Sequence, residues 1–229
     1  MTNIVVTGAS GGLGLALTRG LAKPGDRAWL ISRTEPPECE GLSTTWIPLD
    51  LSAPEQLCKT SLESIGEEPI HLLVYNAGIW EAEPFERTSP RMLLDILNVN
   101  VNSAVLIVRL LERNLRDGRG NIVFIGSTWG LENSGTSRVA SAASKFGLRG
   151  AAHALREHFR EAMVRVTCIN PGWISTDAPQ DDGTTARDGR NPQPIPLGDI
   201  VELVRCVSKL SAATCVKELV VTATTDGDV

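Results

Sequence analysis

The sequence predicts one α/β domain, built on a doubly wound parallel sheet of about seven strands flanked by helices. Short β-branched runs alternate along the 229 residues with longer stretches in which apolar residues recur at i, i+3, i+4 and i+7. Such alternation is typical of right-handed βαβ crossovers, which cover both faces of a parallel sheet. The sequence has no Gly/Ser-rich or charge-rich linker, so residues 1–229 are expected to form a single domain.

The predicted strands share a short length and a high content of Val, Ile and Thr. They cover residues 4–7, 27–32, 44–48, 71–75, 121–126, 164–170 and 218–222. The clearest helical patterns cover residues 13–22, 92–115 and 142–162. Residues 175–198 are rich in Asp, Gly, Pro and Thr and follow no period, which predicts a mobile loop that contacts the substrate.

A glycine-rich turn follows the first predicted strand and opens the first predicted helix. Glycine allows the sharp turn and lets a pyrophosphate approach the main chain, while the helix N-terminus offers free N–H groups. An ordinary tight turn is the alternative, but the strand before it and the helix after it favour a Rossmann-like dinucleotide site. The residues predicted to bind the cofactor here are Gly8, Ser10, Gly11, Gly12, Leu13 and Gly14.

The end of the second predicted strand indicates which dinucleotide binds. A carboxylate there would favour NAD, whereas an arginine accommodates the extra phosphate of NADP. The chain has Arg33 at this point and no acid until Glu35, which favours NADP(H). A solvated surface arginine is the alternative.

Composition and charge exclude several function classes. The net charge is −5 and the Lys and Arg residues are scattered singly, so no nucleic-acid partner is expected and a small-molecule substrate is favoured. No signal peptide or run of eighteen apolar residues is present, which predicts a cytoplasmic protein without a membrane partner. The five cysteines lack metal-ligand spacing, so we expect reduced thiols and no metal site.

Several further motifs follow one another in a fixed order: Asp50-Leu51, Asn76-Ala77-Gly78, Asn100, Ser127, Lys145 and Pro171-Gly172. Over nearly the whole chain this order resembles the short-chain dehydrogenase/reductase family. The resemblance implies that Asp50 contacts adenine, that Asn76 steadies the sheet beside the cofactor and that residues 171–176 enclose the nicotinamide. A helix cap, a turn and a proline-ended strand are the alternatives. The cofactor residues implied are Asp50, Leu51, Asn76, Ala77, Gly78, Lys145, Pro171, Gly172, Ile174 and Thr176.

In this family the active site is a tetrad of Asn, Ser, Tyr and Lys. Asn100, Ser127 and Lys145 match three members, but Ser141 stands where the tyrosine is expected, four residues before the lysine. A phenol of pKa about 10, lowered by a nearby ammonium, is a usable general acid, whereas an aliphatic hydroxyl is shorter and much less acidic. The only tyrosine, Tyr75, falls in a predicted buried strand. A laboratory replacement of tyrosine would give the same sequence.

The missing phenol favours a reaction that needs no strong acid. Hydride addition to a conjugated C=C bond leaves an enolate, which Ser127, Ser141 or a water can stabilise by hydrogen bonds. The gap also resembles atypical family members that reduce such olefins in bacilysin and aeruginosin biosynthesis. The sequence therefore predicts an NADPH-dependent double-bond reductase of a small biosynthetic substrate. A carbonyl reductase that uses serine and water as the proton donor, and a non-catalytic NADP(H)-binding sensor, are the alternatives.

Other side chains are candidates for contacting the substrate. Trp80, Trp129 and Trp173 each follow a tetrad or cofactor motif and would surround an apolar or cyclic ligand, or else serve as packing residues. Arg138 and Arg149 are candidates for a substrate carboxylate, or solvated surface groups. The family resemblance also implies a homodimer formed through the helices at 92–115 and 142–162.

Overall fold

The computed structural model describes residues 1–132, 135–175 and 194–224 and contains a seven-stranded sheet. The strands are β1 (Asn3–Thr7), β2 (Arg27–Ser32), β3 (Ser43–Pro48), β4 (Leu72–Tyr75), β5 (Asn121–Ile125), β6 (Arg165–Pro171) and β7 (Glu218–Val221). Their order across the sheet is β3-β2-β1-β4-β5-β6-β7, and all neighbours are parallel. The predicted doubly wound parallel sheet is confirmed, and no strand end differs from the prediction by more than one residue.

Helices cover both faces of the sheet. One face carries α1 (Gly12–Leu21) and α6 (Leu197–Lys209), which also contact each other. The opposite face carries α3 (Ser103–Leu110), α4 (Glu112–Gly118) and α5 (Val139–His158), and α2 (Pro90–Leu97) packs on α5. Side chains along β1 point alternately to the two faces of the sheet. Val5 packs in the core under α3 and α5, and Ile4 and Val6 pack in the core under α1 and α6.

The sheet reverses its strand order between β1 and β4. In open α/β sheets, ligands bind outside the carboxyl ends of the strands at such a switch point. Thr7 and Tyr75 are paired in register at the ends of these two strands. The loops that follow β1 and β4 therefore form the centre of the candidate site.

The helix predicted at 92–115 is interrupted twice. Residues Asn98–Asn102 form a π turn between α2 and α3, and Leu111 separates α3 from α4. The hydroxyl of Tyr75 donates to the carbonyl of Val99 inside the π turn at 2.5 Å. Such turns are rare and frequently occur at functional sites, and this one contains Asn100.

The segment Pro90–Leu110 is long and apolar enough, by length and composition, to span a membrane. Ile96, Ala104 and Ile107 within it are completely buried in the fold. Core helices of globular domains pass the same test, so the apolar character is accounted for in part by packing on the sheet.

Two predicted boundaries change in the structure. Helix α5 begins at Val139 rather than 142 and ends at His158 rather than 162. The segment predicted as a loop at 175–198 includes the start of α6 at Leu197, and Ile195 forms a parallel bridge with Ile174. Residues 176–193, which hold most of that loop and Thr176, lie outside the described residues.

Candidate active site

The glycine turn after β1 has the backbone geometry that only glycine supplies easily. Gly8 and Gly12 have φ values of 66° and 49°, and a Cβ built on Gly14 would lie 2.0 Å from the carbonyl oxygen of Gly8. Gly11, the N-cap of α1, supplies no side-chain hydrogen bond, and the first turn of α1 contains no acid. The first N–H groups of α1 are therefore uncapped by side chains at the switch point, an arrangement that fits a pyrophosphate.

Asn76 and Thr7 join the ends of β4 and β1 beside this turn. The Thr7 hydroxyl accepts from the N–H groups of Asn76 and Ala77, each at 3.0 Å. The Asn76 amide donates to the carbonyl oxygens of Thr7 and Gly8 at 3.2 and 3.3 Å. Asn76 thus links the ends of β1 and β4.

Arg33 and Asp50 lie exposed beyond the ends of β2 and β3. The N–H of Ser52 stabilises the ionised carboxylate and lowers the pKa of Asp50, and the nearby charges of Arg33 and Arg91 add to the effect. Leu51 differs from them, because its side chain is buried in the core and its carbonyl accepts from Ser103 at 2.6 Å. Any contact of Leu51 with a cofactor would therefore involve its backbone.

Asn100 is buried and makes three hydrogen bonds within the protein. Its Oδ1 accepts from the N–H of Ile79 at 2.9 Å, and its Nδ2 donates to the Ile79 carbonyl at 2.9 Å and to Oγ of Ser144 at 2.8 Å. The side chain thus clamps the loop after Asn-Ala-Gly onto α5. These contacts give Asn100 a positioning role within the candidate site.

Ser127 and Lys145 lie at the carboxyl end of β5. Ser127 is partly buried, and its Oγ accepts from the N–H of Trp129 at 3.2 Å. The ammonium of Lys145 donates to the carbonyl of Ile125 at 3.1 Å. A Cβ built on Gly78 would lie 3.6 Å from that ammonium and 3.5 Å from Oδ1 of Asn100, so three elements converge here.

Ser141 occupies a different environment from the one expected of a catalytic hydroxyl. It is 1% exposed, and its Oγ donates to the carboxylate of Glu81, a residue that is also 1% exposed. The same carboxylate accepts from the N–H of Ala140 at 2.6 Å and from the N–H of Ser141 at 3.1 Å. The structure therefore ties the Ser141 hydroxyl to Glu81, in the loop that follows β4, which does not support the predicted contact with the substrate.

The carboxylate of Glu81 is ionised in this pocket. Burial alone would raise its pKa, but the Ser141 hydroxyl and the N–H groups of Ala140 and Ser141 hold the pKa of Glu81 below its usual range. The sequence analysis missed Glu81, because an acid three residues after Asn-Ala-Gly resembles a solvated loop residue in the acidic stretch 81–86. The only available signal was that Ser141 must find a partner once the tyrosine is absent.

No other phenol replaces the missing one. Tyr75 is completely buried, as predicted, and burial raises its pKa far above the ordinary range. Its hydroxyl donates to Val99 inside the π turn. Tyr75 is therefore not available as an acid at the candidate site.

The aromatic candidates lie at the same edge of the sheet as the tetrad. Trp80 and Trp173 are 50% and 39% exposed, and Trp129 is partly buried. Trp173 is fixed through its carbonyl, which accepts from the N–H of Ile195 at 2.8 Å, and the N–H of the preceding Gly172 donates to Val221 at 2.8 Å. Pro171 is buried at the end of β6.

The two arginine candidates already have partners. Arg149 pairs with Glu218 at 2.6 Å and with Glu132 at 3.1 Å. Arg138 donates to the carbonyl of Glu83 at 3.0 Å. Neither guanidinium is presented as a free anchor for a substrate carboxylate.

Comparison with known proteins places this arrangement in a family. A family model described as short chain dehydrogenase matches residues 2–186. The 2-dehydro-3-deoxy-D-gluconate 5-dehydrogenase of Bacillus subtilis is 31% identical over 180 residues, which cover 75% of this chain and 70% of that protein. The L-rhamnose 1-dehydrogenase (NADP(+)) of Thermoplasma acidophilum is 27% identical over 194 residues, covering 79% and 75% of the two chains.

A solved structure shows the same fold. The alcohol dehydrogenase of Thermococcus sibiricus, complexed with 5-hydroxy-NADP, superposes with a TM-score of 0.79 at 22% identity and covers 99% of this chain and 98% of its own. Fold, motif order and sequence similarity agree. The chain belongs to the short-chain dehydrogenase family and is an oxidoreductase of the NAD(P)-dependent kind.

Proposed function

We propose that the protein is an NADPH-dependent reductase that adds hydride to a C=C bond conjugated to a carbonyl in a small biosynthetic substrate. The observation that supports it is the capture of the Ser141 hydroxyl by Glu81, together with the burial of Tyr75. Hydride addition to the far carbon of an enone leaves an enolate. Its oxygen needs hydrogen bonds, and its carbon takes a proton later from water, so a strong hydroxyl acid is not required.

NADP(H) suits the cofactor region. The glycine turn leaves the N-terminus of α1 without a side-chain cap, and the exposed Arg33 directly follows β2, where an arginine would favour a 2′-phosphate. The Thermoplasma relative carries NADP(+) in its name. When bound, the reduced nicotinamide supplies the hydride.

The residues of this chain would orient the substrate and stabilise its oxygen. Ser127 and Lys145 lie partly buried at the carboxyl edge of the sheet and present hydrogen-bond donors there. Trp80 and Trp173 offer exposed aromatic surface at the same edge, which suits an apolar or cyclic substrate.

Carbonyl reduction or alcohol oxidation is the second candidate. The names of the Bacillus and Thermoplasma relatives describe dehydrogenases of sugar-type substrates, which favours chemistry at a C–O bond. A protein that binds NADP(H) without turnover is the third.

A panel of matched cyclic enones and saturated ketones, incubated with NADPH, separates these candidates. Cofactor absorbance gives the rate, and mass spectrometry with NMR identifies the product. Saturation of the C=C bond with an intact carbonyl is the expected result. Alcohol formation would replace the proposal with the second candidate, and tight NADPH binding without turnover on the panel would favour the third. A Lys145→Ala variant serves as the site-impaired control.

We also propose that two copies pair through α2, α3 and α5. The outward sides of these helices carry Leu94, Leu97, Val105 and Phe146, which are 59%, 38%, 38% and 42% exposed. Such a cluster of apolar side chains is typical of an interface. A Leu94→Glu, Phe146→Glu double variant should shift the mass measured by light scattering from dimer to monomer, and a monomeric wild-type protein would contradict the pairing.

A further inference from the structure

We propose that Lys145 is the group that protonates the substrate oxygen, because Glu81 has withdrawn Ser141 from that role. The inference rests on the reductase activity proposed above. It applies to a C=C or a C=O substrate alike, since hydride addition to either leaves negative charge on oxygen.

The hydroxyls of Ser141 and Tyr75 already donate inside the protein, and Ser127 carries an aliphatic alcohol that is too weakly acidic to give up its proton readily. The Ser141 hydroxyl already donates its proton to Glu81, and both residues are 1% exposed. A hydroxyl has one proton to donate, so Ser141 has none left for a substrate while this contact holds. Tyr75 is committed to Val99 in the core.

The Lys145 ammonium lies where several elements of the candidate site meet. Nζ of Lys145 lies at the meeting point of β5, the Asn-Ala-Gly loop and Asn100. Among the described residues it donates only to the carbonyl of Ile125, so two of its three N–H groups are available to a ribose and to a substrate oxygen. A Cβ on Gly130 would lie 2.9 Å from the backbone of Lys145, so the turn at Thr128–Gly130 packs directly against this part of α5.

The surroundings of the Lys145 ammonium make its proton easier to release. Burial lowers the pKa of Lys145 to about 8, and a weak effect of Cys168 opposes this. Burial also raises the pKa of the Cys168 thiol to about 11, so the thiol is neutral near pH 7. Glu218 lies beyond it, paired with Arg149 and with the amide of Asn170 at 2.6 Å. No described carboxylate forms an ion pair with Lys145, so its proton is held less tightly than that of an ordinary lysine.

Hydride addition to the substrate carbon and proton transfer from Lys145 together complete the reduction. The substrate carbon accepts a hydride from the reduced nicotinamide, and one N–H bond of Lys145 breaks as an O–H bond forms on the substrate. The product is an alcohol from a ketone, or an enol that tautomerises in water from an enone. Lys145 is left as a neutral amine and regains its proton from solvent.

A direct measurement of the amine needs no turnover. The protein is labelled with trace acetic anhydride across pH 6–11, and the labelling of each lysine peptide is quantified by mass spectrometry. The exposed Lys209 and Lys217 serve as internal references. We expect Lys145 to titrate near pH 8. Titration at the ordinary lysine value of about 10.4 would overturn the proposal, whatever the substrate panel shows.

Kinetics on the best substrate separate acid catalysis from cofactor binding. Arginine keeps the positive charge but does not release a proton near neutral pH. Lys145→Arg should therefore lower kcat by about a hundredfold or more with a small change in the KM for NADPH, and abolish the fall of kcat above pH 8. Small primary amines should rescue Lys145→Ala at rates that depend on the acidity of the amine. Ser141→Ala should lose less than about tenfold in kcat and retain the pH profile.

The opposite pattern would overturn the inference without affecting the proposed function. If Ser141→Ala abolished the pH-dependent limb of kcat, Ser141 would be the acid. If Lys145→Arg and Lys145→Ala raised only the KM for NADPH and amines gave no rescue, Lys145 would only anchor the cofactor. In either case reduction by the wild-type protein would still stand.

Discussion

The two helix N-termini beside the site, those of α1 and α5, are treated in opposite ways. Helix α1 begins after glycines and has no side-chain cap and no acid in its first turn. Helix α5 begins with its N–H groups at Ala140 and Ser141 filled by the buried carboxylate of Glu81. Both ends carry the same partial positive charge. One is left for an anion from outside, and the other is neutralised by an anion from within the chain.

The difference fits a binding role for the N-terminus of α1 and a positioning role for the N-terminus of α5. Free N–H groups at a helix N-terminus cost free energy when neither water nor a ligand accepts from them, so a bound phosphate would stabilise the N-terminus of α1. The capped N-terminus of α5 needs no ligand, and its cap fixes Ser141 and, one turn later, Lys145. The same physical device thus serves recognition at one end of the site and alignment at the other.

At the uncapped N-terminus of α1, the largest effect is expected from adding a side chain at position 14. In Gly14→Ala the new Cβ would lie 2.0 Å from the backbone oxygen of Gly8, so the turn must move. We expect a loss of about 3 kcal/mol in unfolding free energy and loss of NADPH binding. Gly11→Ala is the matched control, because its Cβ meets nothing within 4 Å and its φ of −173° is extended. Equal urea-denaturation midpoints for the two variants would contradict this reading.

Substitutions of Glu81 test the cap at the N-terminus of α5. Glu81→Ala leaves two buried N–H groups and the Ser141 hydroxyl without their acceptor, so we expect a loss of about 2 kcal/mol. The pKa of Glu81 is lowered in the folded state, so its contribution is present above the unfolded value of about 4.3 and is lost as pH falls through the folded value. The stability gap between wild type and Glu81→Gln should therefore narrow below about pH 4, and a gap that stays constant in acid would argue for an uncharged Glu81.

A substitution of Arg33, which follows β2, tests the preference for NADPH over NADH. Removing its guanidinium in Arg33→Ala should weaken NADPH by about tenfold or more and leave NADH nearly unaffected, because only NADPH carries the 2′-phosphate. Fluorescence titration with both cofactors measures this. The exposed Arg91, which pairs with Asp95 at 2.9 Å, provides a control substitution. Equal weakening of both cofactors would remove Arg33 from the phosphate site.

Replacing Lys145 is expected to give the smallest change in unfolding free energy, and this change is a gain in stability rather than a loss. Its pKa is lowered to about 8 in the folded state, so burying the charged amine costs stability below pH 8, and this cost disappears as pH rises toward the unfolded value of about 10.4. Lys145→Met should be more stable than wild type by about 1 kcal/mol at pH 7, after the lost bond to Ile125 is counted. The advantage should vanish by about pH 10.4, and a variant destabilised at every pH would show that the ammonium is well solvated.

The sequence predicted the sheet well because strand length and β-branched content are local properties, as in β1 and β5. The glycine turn was also predictable, since Gly8 and Gly14 report a backbone requirement directly. Helix boundaries were less so. The start of α5 depends on Glu81, which is 60 residues from Ser141, and the π turn depends on Tyr75, which is 24 residues from Val99. Long-range partners of this kind leave no period in the sequence.

The same reasoning explains what was missed at the site. Asn100 and Lys145 both lie close to Gly78, and Ser127 follows β5, whose Ile125 carbonyl accepts from Lys145. The Ser141 hydroxyl donates to the buried carboxylate of Glu81, a partner that the sequence analysis did not foresee. An inventory of residue types cannot reveal that competition without the distance between Glu81 and Ser141.

The buried pair also constrains how this chain can change over generations. A tyrosine placed at position 141 would bring a bulky ring to a position that is 1% exposed and would remove the hydroxyl that Glu81 now holds. A single Ser141→Tyr step is therefore penalised before any catalytic benefit appears, and so is the loss of Glu81 alone. A tyrosine at position 141 would therefore need a compensating change at Glu81 in the same chain.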